Sequence, residues 1–325
     1  MSALRTCVLA WLLGLVSTAP AAAQLVFEAA GERALGMAGA FVAVADDATA
    51  VHWNPAGLVG AQPLGMTIGW HHFQVGNPDQ AAAAGAHRGR STLTSLGTWP
   101  LGVSYGTVQR SRLTTDAAGL VSGQSLRVSH VGVTILQSLL DDVVVGSTLR
   151  VMRGGLATDG VGGATSGEAL DRVADLPHDS QTTFDIDLGL MASAPRLRLG
   201  LALKNLRSVV FSEVAGNAIS LPRQARIGLA VLPADGVTLA MDLDLNTVDL
   251  MGDLRRMFAV GGEAAIGRRL QLRSGVRWNV ADEWHTVGAV GASVSLRRGF
   301  WVDGHYSLGR DDESREWGVA LRAGF

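Results

Sequence analysis

The sequence predicts an all-β fold, a transmembrane antiparallel β-barrel of about fourteen strands preceded by a short segment of different character. Three observations carry this expectation. From Leu64 onward, outward apolar residues alternate with inward small or polar ones, the period of strands whose two faces meet different solvents. The connections between these segments alternate between tight turns and longer loops, as the two rims of an outer-membrane barrel do. The chain then ends on Trp317, Val319, Leu321, Ala323 and Phe325 alternating with Gly318, Ala320, Arg322 and Gly324, a pattern that resembles the C-terminal signal read by the barrel assembly machinery.

Residues 1–23 have the layout of an export signal. Arg5 supplies a cationic start, Val8 to Val16 form an apolar run, and Ala21, Ala22 and Ala23 offer a small-residue cleavage site, so the mature chain is expected to begin near Gln24. The single cysteine, Cys7, falls within that signal, which leaves the exported product without thiol or disulfide chemistry. No later stretch is apolar and long enough for a membrane helix.

The barrel is expected over 64–325, with strands at 64–74, 90–98, 101–109, 124–138, 142–153, 181–193, 196–205, 223–232, 237–248, 257–266, 269–279, 284–296, 300–308 and 315–325. Tight turns fall at 99–100, 141–142, 194–195, 233–236, 267–268 and 297–299; longer loops fall at 75–89, 110–123, 154–180, 206–222 and 249–256. The alternation is plainest where Val237, Leu239, Met241, Leu243 and Leu245 oppose Thr238, Ala240, Asp242, Asp244 and Asn246. Charges recurring on the inward face imply a polar lumen rather than the apolar core of a soluble sandwich. Trp70, Trp99, Trp278, Trp284, Phe300, Tyr306 and Trp317 lie near strand ends, where interfacial girdles form. Loop 154–180 is Gly-rich at its start and acidic, and reads as a flexible external loop or as one that captures a partner or substrate.

Little in the sequence suggests catalysis, and no enzyme activity and no cofactor are expected. The net charge of −2 gives no reason to expect nucleic acid as a partner. No P-loop, Gly-x-Ser-x-Gly, His-Glu-x-x-His or Cys-x-x-Cys occurs, and His71 and His72 point to opposite faces of one strand. Asp185 with Asp187, and Asp242 with Asp244, could each suggest acid–base work or a calcium site. Glu263, Arg273 and Arg277 on neighbouring strands offer them partners, so a lumenal salt-bridge network is expected and no metal site.

Residues 24–63 do not alternate. They contain Gly36 to Asp47 (Gly-Met-Ala-Gly-Ala-Phe-Val-Ala-Val-Ala-Asp-Asp), then Ala50-Val51-His52-Trp53-Asn54-Pro55-Ala56-Gly57-Leu58. This phrase resembles the N-terminal signature of the FadL-like outer-membrane transport proteins and, more closely, of their PorV/PorQ relatives; Leu201 to Leu206 and Leu221-Pro222-Arg223 resemble later phrases of the latter. The resemblance implies a hatch over 24–63 lying within a fourteen-stranded barrel in the cell outer membrane. It implies one of two functions: transport of a hydrophobic small molecule, or a non-conducting accessory role binding secreted proteins or a secretion machine. Outer-membrane lipid is the expected surroundings in either case. Asp46 or Asp47 can cap a short helix over 47–52, and Pro55 forces Asn54 out of the helical region. With Trp53, these residues either fix the hatch by hydrogen bonds or have a direct ligand or gating role. Apolar material for a ligand is sparse in the external loops apart from Val209, Val210, Phe211, Val214 and Ile219.

Overall fold

A computed structural model of the chain describes residues 27–115, 120–161, 165–208, 210–212, 218–250, 253–281, 285–309 and 314–325. The expected export signal, residues 24–26, Val209, Val214 and Trp284 lie outside the described residues.

The first strands are β1 (Gly65–Val75), β2 (His87–Thr98), β3 (Leu101–Thr115), β4 (Val121–Leu140), β5 (Val143–Gly160), β6 (Gln181–Ala194) and β7 (Leu197–Lys204). A small hairpin of β8 (Val210–Ser212) and β9 (Ala218–Ser220) follows, then β10 (Gln224–Ala234) and β11 (Val237–Asp244). A second small hairpin, β12 (Val248–Leu250) and β13 (Asp253–Arg255), precedes β14 (Met257–Ile266), β15 (Leu270–Asn279), β16 (Thr286–Arg297), β17 (Phe300–Gly309) and β18 (Ser314–Gly324). With the two hairpins set aside, fourteen strands pair antiparallel with their sequence neighbours, and β1 pairs with β18 to close the barrel from Gly65↔Gly324 to Val75↔Ser314. Closure leaves the barrel itself without an edge strand, the condition a sheet must meet in lipid.

The two faces follow the alternation. Met241, Leu239, Leu149, Val151, Val131 and Ile135 face outward and exposed, while Asp242, Asp244, Arg226, Arg150, Arg273 and Arg277 face inward and buried. His71 turns in and is buried, and His72 turns out. Trp70, Tyr105, Tyr306 and Trp317 are exposed on the outer wall towards the long-connection rim, with Trp99, Phe300 and Phe325 at the opposite rim. Trp278 is half-buried, stacked on Phe258 with ring centroids 5.6 Å apart.

The expected loops 206–222 and 249–256 carry the two small hairpins, and two further loops differ more. Much of 110–123 is strand, because β3 runs to Thr115 and β4 begins at Val121. Loop 154–180 carries the end of β5 and a helix, Ser166–Ala174, started by a capping box in which Thr165 accepts from the Glu168 N–H while the Glu168 carboxylate accepts from that of Thr165. Leu170 and Val173 of this helix pack with Leu113 and Val161, covering the outer face of the strand extensions. Burial under the helix replaces lipid there, so the lipid-facing pattern stops before the strands do.

The N-terminal segment occupies the barrel interior. It holds α1 (Glu32–Gly36), α2 (Ala50–Trp53) and a 3-10 turn over Pro55–Gly60; with that order the outer-wall helix Ser166–Ala174 is α3. Phe27, Phe41 and Trp53 are fully buried and form an aromatic cluster with centroids 5.8 Å apart. Inward glycines let the segment's backbone approach the wall. A Cβ on Gly200 would stand 2.5 Å from the Val42 carbonyl oxygen, and one on Gly275 2.6 Å from the Met37 carbonyl carbon. Real Cβ contacts are not that short, so these wall positions admit only glycine while the segment is in place.

Candidate functional site

Residues of the segment grip the lumenal wall in three places. The first is Arg33. From α1 its Nη1 reaches Asp46 (2.6 Å) and Asp47 (3.0 Å), while Nε and Nη2 fork onto Glu263 of β14 at 2.9 and 2.8 Å. Glu263 also takes Arg273 Nε at 2.5 Å, and Asp46 takes Arg198 Nη1 at 3.1 Å. Burial alone would ease the proton off Arg33, but Asp46, Glu263 and Asp47 outweigh it and raise its pKa further. Burial likewise opposes ionisation of Asp47, and Arg33, with Arg322 and the Thr49 hydrogen bond, more than offsets this, holding its carboxyl below the usual range.

The second grip joins Asp242 and Asn54. Ala38 and Gly39 take left-handed φ values of 56° and 87°, turning the chain after α1. The next residues present the N–H groups of Phe41 and Val42 to Asp242 Oδ2, at 2.9 and 2.8 Å. Asn54 is fully buried, and its Nδ2 donates to the Val42 carbonyl (2.9 Å) and to that of Leu190 in β6 (3.1 Å). Its Oδ1 accepts from the Ala56 N–H, which starts the 3-10 turn beyond Pro55. Trp53 donates its indole N–H to the Ala30 carbonyl at 3.0 Å, tying α2 to the segment's start.

At the third, Glu28 accepts from Arg226 Nη2 at 2.8 Å, and Arg226 Nε reaches Asp244 at 2.6 Å. Burial pushes the Glu28 carboxyl up, but Arg226, Arg255 and Arg277 together hold it well below the ordinary carboxylate value. Glu32 of α1 lies against Gly69 and Gly318 without such a cation, and burial pushes its carboxyl up to about 8.

The expected lumenal network is thus several clusters. Asp185 and Asp187 both bind Arg150 Nη2 at 2.8 Å, and Arg277 pairs with Glu316 at 2.5 Å. Among the described residues Asp242 forms no hydrogen-bonded pair with an arginine: its cross-strand neighbours are Gly228 and Ala259, and it holds backbone instead. The helix expected over 47–52 is α2, confined to Ala50–Trp53 with Thr49 at its N-cap. Asp47 does not cap it: Asp47 Oδ1 accepts from the Thr49 N–H and hydroxyl at 2.9 and 2.5 Å, and its other oxygen is taken by Arg33. Glu28, Arg33, Arg150 and Arg226 escaped the sequence reading. Arg150 and Arg226 carry the inward parity of their strands and were findable by it, whereas Glu28 and Arg33 sit where no period exists.

The remaining lumen is divided by polarity. Inward residues of β14 to β18 include Arg273, Arg277, Asp303 and Glu316 among small ones. Inward Val108, Leu126, Val128, Met152 and Leu156 of β3 to β5 form an apolar patch. Phe211 of the β8–β9 hairpin and Leu221 are buried on this patch, and Ala29 of the N-terminal segment completes it. Among the described residues no group of three or more His, Cys, Asp or Glu side chains is placed to hold a metal ion.

A family model described as "F plasmid transfer operon, TraF, protein" matches residues 72–244. No curated protein matches the chain. Among solved structures, the CymD monoaromatic hydrocarbon channel is similar with 14% identity and a TM-score of 0.64, over 91% of this chain and 97% of that one. The Ralstonia pickettii toluene transporter TbuX gives 14% identity and a TM-score of 0.64, over 92% of this chain and 100% of its own. A Pseudomonas aeruginosa FadL homologue gives 11% identity and a TM-score of 0.63, over 94% and 98%. At these identities the likeness is one of fold: the closed fourteen-stranded barrel is FadL-like.

Proposed function

This chain belongs to the family described as the F plasmid transfer operon TraF protein, and from its FadL-like barrel we propose that it passes hydrophobic small molecules across the outer membrane. The observation that carries the reading is the apolar lumenal patch of Leu126, Val128, Met152, Leu156 and Phe211, in contact with the N-terminal segment through Ala29. Apolar ligands are held chiefly by the area they remove from water. A patch of this kind above the segment is a resting place for such a ligand, and the segment then acts as a hatch that must shift to release it. The gripping residues Asp46, Asp47, Asn54 and Asp242 set how firmly the hatch is held. The likeness to a toluene transporter and a monoaromatic hydrocarbon channel makes small aromatics the first substrates to test.

The PorV/PorQ-like phrase over 36–58 and the occupied lumen favour a second reading, an accessory that binds exported proteins. A gene deletion separates the two. Uptake of labelled toluene and of a long-chain fatty acid is measured beside the set of secreted proteins and, given the family description, the frequency of plasmid transfer. The transport reading expects lost uptake, recovered by the wild-type chain and not by Phe211→Asp. Unchanged uptake with altered secretion or plasmid transfer overturns it.

A further inference from the structure

A second polar site lies outside the lumen, on the outer wall of β2 to β5. Tyr105, Val131 and Val151 face out side by side and end the apolar band there. One rung higher Thr107, Ser129 and Arg153 are cross-strand partners, with Trp70 and Thr92 extending the rung. On the next rung Arg90, Gln109 and Arg127 are in line. The strands are about 4.8 Å apart and successive outward residues about 6.6 Å apart, so the three arginine side chains are close enough to converge on one group.

These arginines are exposed, and none forms an ion pair with a described carboxylate. Arg90 Nε donates to Gln109 at 2.8 Å and Arg127 Nη2 to the Ala174 carbonyl at 3.3 Å, leaving most of their donors free. Asp171 of α3 is already paired with Arg88. Helix α3 overhangs the wall, since Gln109 Nε2 also donates to the Ala174 carbonyl, and beneath the overhang is a groove of about 670 Å³ with Trp70, Tyr105 and Trp317 in its lining.

The height of the groove identifies its occupant. From Trp99 on the short-turn rim to Arg90, β2 runs roughly 30 Å, which at a strand tilt of about 40° is roughly 23 Å along the barrel axis, the height of a barrel's apolar band. Arg90 is therefore level with the headgroups of the outer leaflet, and Arg127 and Arg153 stand beside it on the wall, above outward residues that face acyl chains. Guanidinium forks match phosphate oxygens bidentately. We propose that this ledge binds the phosphate of an outer-leaflet glycolipid, whose acyl chains lie on Tyr105, Val131 and Val151. A free phosphate would use the arginines and leave the apolar part of the groove empty.

The test titrates the detergent-extracted full chain with bisphosphorylated lipid A, with the same lipid dephosphorylated, and with glucosamine phosphate lacking acyl chains, followed by native mass spectrometry. The phosphorylated lipid should bind at least roughly tenfold more tightly than either control, and Arg90→Gln/Arg127→Gln/Arg153→Gln should erase that preference in a barrel that still shifts on heating. Equal binding of phosphorylated and dephosphorylated lipid, or an unaltered preference in the variant, overturns the site. Equal binding of the acyl-free phosphate overturns its assignment to lipid. Should the triple variant not assemble, the single Arg153→Gln decides: weakened binding supports the site and unchanged binding overturns it.

Discussion

Replacing Arg33 by Met keeps the length of the side chain and removes its four charge-assisted hydrogen bonds, to Asp46, Asp47 and twice to Glu263. Breaking a buried ion pair from one side costs about 3–5 kcal/mol, mostly through the charge left uncompensated. Here each stranded carboxylate keeps a partner: Glu263 keeps Arg273, Asp46 keeps Arg198 and Asp47 keeps Thr49. The lower end, about 3 kcal/mol, is therefore expected, which raises the unseated population of the N-terminal segment about a hundredfold. The barrel's own strand pairing does not involve Arg33, so the variant should assemble and keep its heat-dependent mobility on gels. The seating is read by placing a cysteine at Ala43, which is fully buried, and following its modification by a membrane-impermeant maleimide. Labelling in the Arg33→Met background should be about a hundredfold faster, and adding Asp47→Asn should recover part of the loss. An unchanged labelling rate would refute the clasp, and a barrel that fails to assemble would show that the segment is needed to build the wall.

Three further outcomes follow. Glu32, pushed up to about 8 by burial, stays protonated in the folded chain at pH values where the unfolded chain has ionised; stability should then fall by up to about 5 kcal/mol as pH rises from 4.5 to 8 and level off above. Thermal melting of Glu32→Gln should lack this slope, and a slope equal to the wild type's would remove Glu32 as its source. Gly200→Val forces atoms against the Val42 carbonyl at an overpacking cost of about 1–3 kcal/mol, so Ala43→Cys should label faster with the barrel intact; slow labelling would mean that the wall yields instead. Met241→Arg puts a charge into lipid at about 2–4 kcal/mol and should lower the yield of assembled barrel; a normal yield would contradict the outward assignment of that face.

The barrel was legible because each strand separates lipid from a polar lumen, and that contrast is written at every second residue of β11 and β15. The lumenal charges were legible for the same reason, by parity. Their partners were not, because pairing depends on register and on side chains arriving from the segment: nothing in the order of residues says that Asp242 faces glycine and alanine, or that Arg226 reaches Glu28. Helix α3 carries a readable signal in Thr165 and Glu168, but the surrounding glycines and acids read as loop. Its position against the outside of β3 to β5 depends on tertiary packing alone, and with it the strand extensions beyond 110 and the arginine ledge.

The proposal that the N-terminal segment must shift to let a ligand through is tested most directly by locking it. A Cβ built on Gly65 is 3.7 Å from that of Ala48, within the separation a disulfide spans. The pair Ala48→Cys/Gly65→Cys therefore ties the segment to β1, and uptake of labelled toluene is measured in oxidised and reduced cells of the deletion strain carrying it. Loss of uptake on oxidation, restored by reductant, is the expected result; equal uptake in both states would contradict the moving hatch.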